Sequence, residues 1–506
     1  MRFHAIQFGC RANQADGAAI AEDLAGRGFS GVEDFRQADV VVLNSCTVTA
    51  AADAELRQTV RRIHRQNPRA RILVTGCYAQ RRPHELAALP GVRCVVGNAE
   101  KHEIGRLLSE HAASRDALQR VPGEWVPLER LLASLSPRTE FEFHTLSSPL
   151  PGLELSGDAA EIFVGDIFAQ REFLSAPVVG HETGKTAGDR TRPTLKIQDG
   201  CNNRCSFCII PSVRGQSRSL PPPEVLRQIR ELCAAGYREV VLSGINLGRY
   251  GRDLEARIRF AQLVRMILDE TPLARLRLSS VEPMDFTDEL LDLMADSSRI
   301  AKHVHAPLQS GSDRILQKMH RKYQARHYRD RILAAYGRMP NAAFGADVMV
   351  GFPGESAEDF EQTRRLIESL PFTYLHVFPF SRRPGTPADT MPDQVPGAVV
   401  RERGRILREL AAEKNRRFRE QQLGRTLRVL TLEDRAEGGA WALSENYLKV
   451  FLAGDGMPSN RLADARIVSL TDEGLLGEPI PDRLSHSRGV GLRSIESPSM
   501  MTCASA

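Results

Sequence analysis

Twice along this chain, short apolar runs alternate with helical patterns, and that alternation restricts the fold more than any other feature. In the first hundred residues "RFHAIQF", "ADVVVLN", "ARILVTG" and "GVRCVVGN" read as strands, with helices at "ADGAAIAEDLAGRG" and "AADAELRQTVRRIHRQ", the second stopped before Pro68. Strands separated by helices predict a parallel sheet with crossover connections, here an N-terminal α/β domain over residues 1–104. From Pro193 the rhythm returns on a larger scale: "TLKIQ", "EVVLSG", "RLRLSS", "KHVHAPL", "AFGADVMVG" and "YLHVFPF" are six strand-like runs joined by helices. They predict a partial (β/α)6 barrel which, with the helix that follows, fills residues 192–423. Four short strands beyond it, punctuated by turn residues, predict a small antiparallel β-barrel over 424–484. Residues 105–191, rich in Gly, Pro, Ser and Thr, read as a linker or insertion, and 485–506 as a flexible tail.

Composition excludes several classes. At 506 residues the chain is too long for one core, and its 42% hydrophobic and 26% charged content is that of a globular protein. No run of about 18 apolar residues offers a membrane span. The start, "MRFHAIQFGCRANQAD", lacks a secretory leader, so a cytoplasmic location is expected. Nine cysteines are too few for a disulfide framework at this length, which leaves metal or redox chemistry as their leading use. The net charge of +5 permits a nucleic-acid partner without requiring one.

Directly after the first strand of the larger repeat, "DGCNNRCSFCII" places Cys201, Cys205 and Cys208 as C-x3-C-x2-C. A closed zinc site wants four ligands, and no fourth Cys or His is local, so zinc would need a distant one. An iron–sulfur cluster accepts three protein thiolates, its remaining iron being free to take an exogenous ligand. A second set is scattered in sequence: Cys10, Cys46 and Cys77 each follow one of the first three strands, in "IQFGC", "VLNSC" and "VTGC". Parallel strands carry their C-terminal ends on one edge, so these three sulfurs are expected to meet. Cys94 inside a strand, Cys233 inside a helix and Cys503 in the tail read as structural.

The C-x3-C-x2-C triad resembles the signature of the radical S-adenosylmethionine superfamily. That resemblance implies a [4Fe-4S] cluster whose open iron is chelated by S-adenosylmethionine, and a deoxyadenosyl radical that abstracts an otherwise inert hydrogen. The cofactor then carries the hard step and no general base is needed. It also implies cofactor contacts from Phe207 before the third cysteine, from Ser243, Gly244 and Asn246 in "LSGINLG", from Ser280 and Glu282 in "SSVEP", and from Gln309 and Ser310 in "PLQSGSD". "DVMVGFPGE" at 347–355 looks like the stretch that lies against adenine. Each has a plain reading as a strand-to-helix turn; their recurrence at successive strand ends favours the functional one.

The whole layout, with "LNSCTVT", "LKIQDGCNNRCSFCIIPSVRG", "PLQSGSDRIL" and "VGFPGE", resembles the methylthiotransferases. That family implies a second [4Fe-4S] cluster on Cys10, Cys46 and Cys77 that supplies or carries sulfur. It also implies replacement of C–H by C–S–CH3, an electron donor such as a flavodoxin or ferredoxin, and a C-terminal TRAM-like barrel. "SGINLGRYGRDL", "RLSSVEPMDFTDELLDLM" and "MHRKY" look like the branch acting on threonylcarbamoyladenosine in the tRNA anticodon stem-loop. The alternatives are isopentenyladenosine in tRNA, which shares "RPGT", and an aspartate of a ribosomal protein. A non-catalytic iron–sulfur RNA-binding module is the reading outside enzymology. An RNA partner suits the stretch "LRQTVRRIHRQNPRAR", with Arg57, Arg61, Arg62, Arg65, Arg69 and Arg71, and the eight basic against four acidic residues of 401–420, while solvated helical faces are the bland explanation. Residues 425–480, with six basic and nine acidic side chains, fit shape recognition or bracing of the central barrel.

Overall fold

In a computed structural model the described residues are 1–110, 160–170, 173, 174, 176, 191–454 and 457–480. Strands β1 (Arg2–Gln7), β2 (Ser30–Gly31), β3 (Val40–Ser45), β4 (Arg71–Gly76), β5 (Val92–Val96) and β6 (Glu161–Phe163) form one sheet in the order β2-β1-β3-β4-β5-β6. Every pairing in it is parallel. Successive residues of β3 face opposite sides: Val41 and Leu43 pack with Leu56, Val60 and Ile63 of the helix Ala50–Gln66, and Val40 and Val42 with Ile20 and Leu24 of the helix Arg11–Gly26. Helices on both faces explain why β3 reads as an unbroken apolar run. β6 comes from the Gly- and Pro-rich stretch and adds an edge strand that its composition conceals.

The central region holds β7 (Thr194–Asp199), β8 (Arg218–Ser219), β9 (Glu239–Gly244), β10 (Arg275–Leu278), β11 (His303–His305), β12 (Ala343–Val350) and β13 (Tyr374–Pro379). The six strands other than β8 run parallel in two groups, β10-β9-β7 and β11-β12-β13, stitched together by a bridge between Leu276 and Ile300. β7 and β13 do not pair, so the barrel is open on that side, as a partial (β/α)6 barrel should be. Its core is a single apolar cluster running from Leu195 to Leu407.

β14 (Thr426–Ala436), β15 (Gly439–Ser444), β16 (Lys449–Ala453), β17 (Leu462–Leu470) and β18 (Leu475–Ile480) close a small barrel. The expectation of an antiparallel barrel needs correcting: β16 and β18 pair in parallel, so the barrel is mixed. Five strands cannot alternate direction all the way round a closed ring, and one like-directed pair must remain. Arg275 and Arg277 of β10 anchor this barrel, donating to the carbonyls of Arg428 and Ser444 at 3.1 and 3.0 Å, while Glu239 forms an ion pair with each guanidinium. The tail assigned to 485–506 and most of 105–191 lie outside the described residues. Among the described residues no helix is long and apolar enough to cross a membrane.

Candidate active site

The first thiol set sits on the loop leaving β7. Gly200 makes the turn at φ +68°, where an added Cβ would run into the Gln216 carbonyl, so only glycine suits the position. The Cys201 N–H donates to the Gly215 carbonyl at 3.1 Å, and the Cys208 N–H to the Cys205 carbonyl at 3.1 Å, folding the three half-buried thiols back on one another. Donors aim at their sulfurs: the Asn203 N–H and Asn246 Nδ2 lie 3.4 and 3.6 Å from Cys201 Sγ, and Arg321 Nη1 lies 3.3 Å from Cys205 Sγ. Such donors favour thiolate and tune whatever the thiolates ligate. Burial opposes them, pushing the Cys208 thiol up to about 12 and Cys201 upward, so these sulfurs ionise when a cation takes the proton's place.

A shallow, open depression borders the loop, lined by Asn203, Cys205, Arg249, Glu282, Arg321 and Tyr323. Glu282 pairs with Arg321 beside Cys205, and burial raises its pKa despite that partner. Asn246 takes its orientation from its own N–H, which donates to Gln198 Oε1 at 2.7 Å, and its buried Oδ1 has no partner among the described residues. Gln309, at φ +64°, likewise buries an Oε1 with no partner among the described residues. Buried amide oxygens without donors are what a site for an absent polar ligand leaves behind. Ser243 is buried, Ser280 is half-buried, and Gly244 closely approaches Gln198, where an added Cβ would lie 3.0 Å from the Gln198 Cβ. Ser310 turns to Thr363 Oγ1 at 3.3 Å, and Phe207 packs in an apolar cluster with Met319 and Phe352.

The sheet brings the second set together. β1, β3 and β4 are neighbours, and Cys10, Cys46 and Cys77 follow them directly. At Gly9, with φ +85°, a Cβ would lie 2.5 Å from the Cys46 Cβ and 2.7 Å from its Sγ, so the ends of β1 and β3 close tightly. Burial first, then the neighbouring Cys77 and Cys10, push the Cys46 thiol up to about 12. Cys46 and Cys77 are buried and Cys10 is exposed, so one side of the set is reachable. Three neighbouring cysteines with no fourth thiol beside them among the described residues fit a cluster with one open iron.

One short helix, Ile210–Arg214, joins the two sets. Ile209, next to Cys208, packs with Val213 against Cys77. Asn98 Nδ2 donates to the Val213 carbonyl at 2.7 Å and lies 3.5 Å from Cys77 Sγ. At the helix end the buried Arg214 reaches Asp199 and Asp16, both at 2.9 Å, and Asn13 Oδ1 at 3.1 Å. Lys101 pairs with Asp16 at 2.8 Å, and Lys196 pairs with Asp16 and, at 3.0 Å, with Asp199. Burial works against the charge of Arg214, yet Asp199, Cys77, Asp16 and Cys10 hold its pKa well above the arginine value. Burial would likewise raise Asp16, but Lys101, Lys196 and Arg214 hold it at about 2. Burial pulls Lys101 down even beside Asp16; the carboxylate facing three cations is the one whose ionisation is secure. A second joint uses "SRRPGT": the buried Arg383 binds Asp53 at 2.7 Å, which Arg81 also holds at 2.7 Å. Reading the cysteine spacing alone misses Arg214, Arg321 and this ion network; the signal was a charge inside a strand, Lys196 in "TLKIQD".

The fold and the triad define a radical S-adenosylmethionine enzyme carrying an extra N-terminal α/β domain. Residues 195–367 match the radical SAM superfamily, and residues 2–97 match an uncharacterized protein family, UPF0004. The chain is 34% identical to the threonylcarbamoyladenosine tRNA methylthiotransferase MtaB of Aquifex aeolicus (strain VF5), over 87% of this chain and 94% of that one. It is 36% identical to the enzyme of the same name from Bacillus subtilis (strain 168), over 89% and 90%. It is also 32% identical to the tRNA-2-methylthio-N(6)-dimethylallyladenosine synthase of Acidothermus cellulolyticus (strain ATCC 43068 / DSM 8971 / 11B), over 90% and 83%. The chain belongs to the radical S-adenosylmethionine methylthiotransferases. In fold it is similar to the radical S-adenosylmethionine methyltransferase TsrM from Kitasatospora setae, with a TM-score of 0.52 at 17% identity, over 77% of this chain and 74% of that one.

Proposed function

We propose that this enzyme installs a 2-methylthio group on N6-threonylcarbamoyladenosine next to the anticodon of tRNA, in the cytoplasm. The observation that carries the reading is the pair of three-cysteine sets on either side of the helix Ile210–Arg214, together with relatives of that activity matched over almost their whole length. In this reading Cys201, Cys205 and Cys208 hold one [4Fe-4S] cluster and Cys10, Cys46 and Cys77 another. The first, with S-adenosylmethionine and an electron from a flavodoxin or ferredoxin, would supply a radical able to take a hydrogen from an unactivated carbon; the second would supply or carry sulfur. The protein orients and desolvates: Asn246 and Arg321 set the field at the first sulfurs, Glu282 and Gln309 offer polar atoms to the cosubstrate, and Arg214 fixes the distance between the two sets. An insertion within 105–191 that lends Glu161–Phe163 to the N-terminal sheet and a TRAM-like domain at 424–484 complete the proposed layout. Of the basic side chains, Arg61, Arg62, Arg65 and Arg69 are exposed and suit phosphate contacts, whereas Arg405 and Arg416 on the helix Gly397–Glu420 are paired with glutamates.

Mass spectrometry of tRNA nucleosides from a deletion strain tests the proposal. Loss of 2-methylthio-threonylcarbamoyladenosine, restored by the wild-type gene and not by a Cys201→Ala variant, is expected. An unchanged level of it, with 2-methylthio-dimethylallyladenosine lost instead, would move the chain to the other tRNA branch.

A further inference from the structure

The lumen of the central barrel carries a polar array that neither thiol set uses. Alternate residues of a strand share a face, and His303 and His305 of β11, Asp347 of β12, and Tyr374 and His376 of β13 form one connected group. His303 Nε2 lies 2.6 Å from the Tyr374 hydroxyl, and that hydroxyl is 3.1 Å from His305 Nδ1. His305 Nε2 is 3.2 Å from Asp347 Oδ1, and His376 Nδ1 is 3.1 Å from the same oxygen. Room for the Tyr374 ring exists because residue 345 is glycine; a Cβ there would occupy the ring's place. Beneath, Tyr447 of the small barrel stacks on His303 with centroids 4.5 Å apart, and Arg277 lies 5.4 Å from the Tyr447 centroid. From the N-terminal domain, the charge of Arg11, the residue after Cys10, acts on both His303 and Tyr374.

The array is closed at one end and open at the other. His303, His305 and Tyr447 lie against packed elements, whereas the His376 side chain is 61% exposed. Burial opposes ionisation of Asp347, but hydrogen bonds and charge from His305 and His376 hold its pKa well below the ordinary carboxylate value. An ionised carboxylate on Nδ1 fixes the ring and leaves Nε2 as the edge presented to a ligand. With the charge of Arg11 acting on the same lumen, an anionic oxygen suits that edge; an apolar chain would leave the polar groups unpaired, which is how a hydrogen-bonding site rejects an analogue.

We propose that His376, oriented by Asp347, binds the carboxylate-bearing substituent of the modified base and so selects the substrate branch. This rests on the function proposed above. The test uses full-length, cluster-reconstituted protein with anticodon stem-loop RNA bearing either threonylcarbamoyladenosine or dimethylallyladenosine. His376→Phe is expected to raise KM for the first RNA about 10-fold or more and to narrow the preference between the two, with kcat less affected and His376→Gln recovering part of the loss. An unchanged KM and preference in His376→Phe, with wild type active on the first RNA, would overturn the recognition role alone. Wild type acting only on the second RNA would remove the proposed branch and this inference with it. The three ligand atoms of His305, Asp347 and His376 also lie within 4.8 Å of one another. Stoichiometric zinc or iron beyond the clusters, lost in His376→Phe, would therefore overturn substrate binding in favour of a metal site.

Discussion

The two thiol sets reach similar ends by opposite routes. Cys201, Cys205 and Cys208 lie within one loop, shaped by the turn at Gly200 and by hydrogen bonds such as Cys201 to Gly215 and Ser206 to Met319. Cys10, Cys46 and Cys77 are brought together by three paired strands and the close approach at Gly9, so they exist as a set only when the sheet has formed. A local set tolerates loss of distant packing, whereas an assembled one depends on the domain joint that orders it. The buried ion network at Arg214 is that joint, with Asp16 and Lys101 from one region and Lys196, Asp199 and Arg214 from the other.

The largest effect expected is from replacing Cys201, Cys205 and Cys208 together by Ala. Dithionite-driven formation of deoxyadenosine should vanish while the N-terminal iron, read by metal analysis, remains. Retained cleavage would break the division of labour. Next comes Asp16→Asn. Removing one charge from a buried network leaves the others uncompensated and costs about 3–5 kcal/mol, to be read in the unfolding midpoint. The pH dependence has a definite sign. Asp16 is depressed from 3.8 to about 2, so its contribution is complete above the ordinary carboxylate value and is lost as pH falls towards 2. Asp199, depressed as well, titrates in both proteins, so the extra acid loss of wild type over Asp16→Asn reports Asp16 itself.

Smaller again is Arg321→Met, which removes the donor to Cys205 and the partner of Glu282. A loss of about 10–100-fold in cluster affinity or turnover is expected, and the N-terminal set should not respond, which a spectroscopic titration of each cluster would check. Smallest is Arg61→Gln with Arg65→Gln. These exposed residues should each reduce the salt slope of tRNA binding by about one phosphate contact and leave adenosylmethionine cleavage alone.

Sequence made the loop set plain because all three ligands fall within one turn, and the assembled set readable because apolar strand patterns fix the edge on which cysteines emerge. Other features were hidden for physical reasons. β6 is three residues in a Gly- and Pro-rich stretch, and β18, "LLGEPI", carries the breakers Gly and Pro, so neither has a strand's pattern. The parallel β16/β18 pair follows from strand number: the sequence pattern shows four strands, and β18 makes five. Arg214 and Arg321 acquire meaning only from what the fold places beside them. His305, Asp347 and His376 come from three strands, and only the barrel brings them onto one lumen face.

The central claim is that the assembled set holds its own cluster, independent of the radical-generating loop. It is tested most directly by counting iron and sulfide per chain in the Cys10→Ala, Cys46→Ala, Cys77→Ala protein while measuring deoxyadenosine formation. About half the wild-type iron, as two like clusters require, together with continued cleavage and no methylthio product, is predicted. Iron at the wild-type level would contradict it.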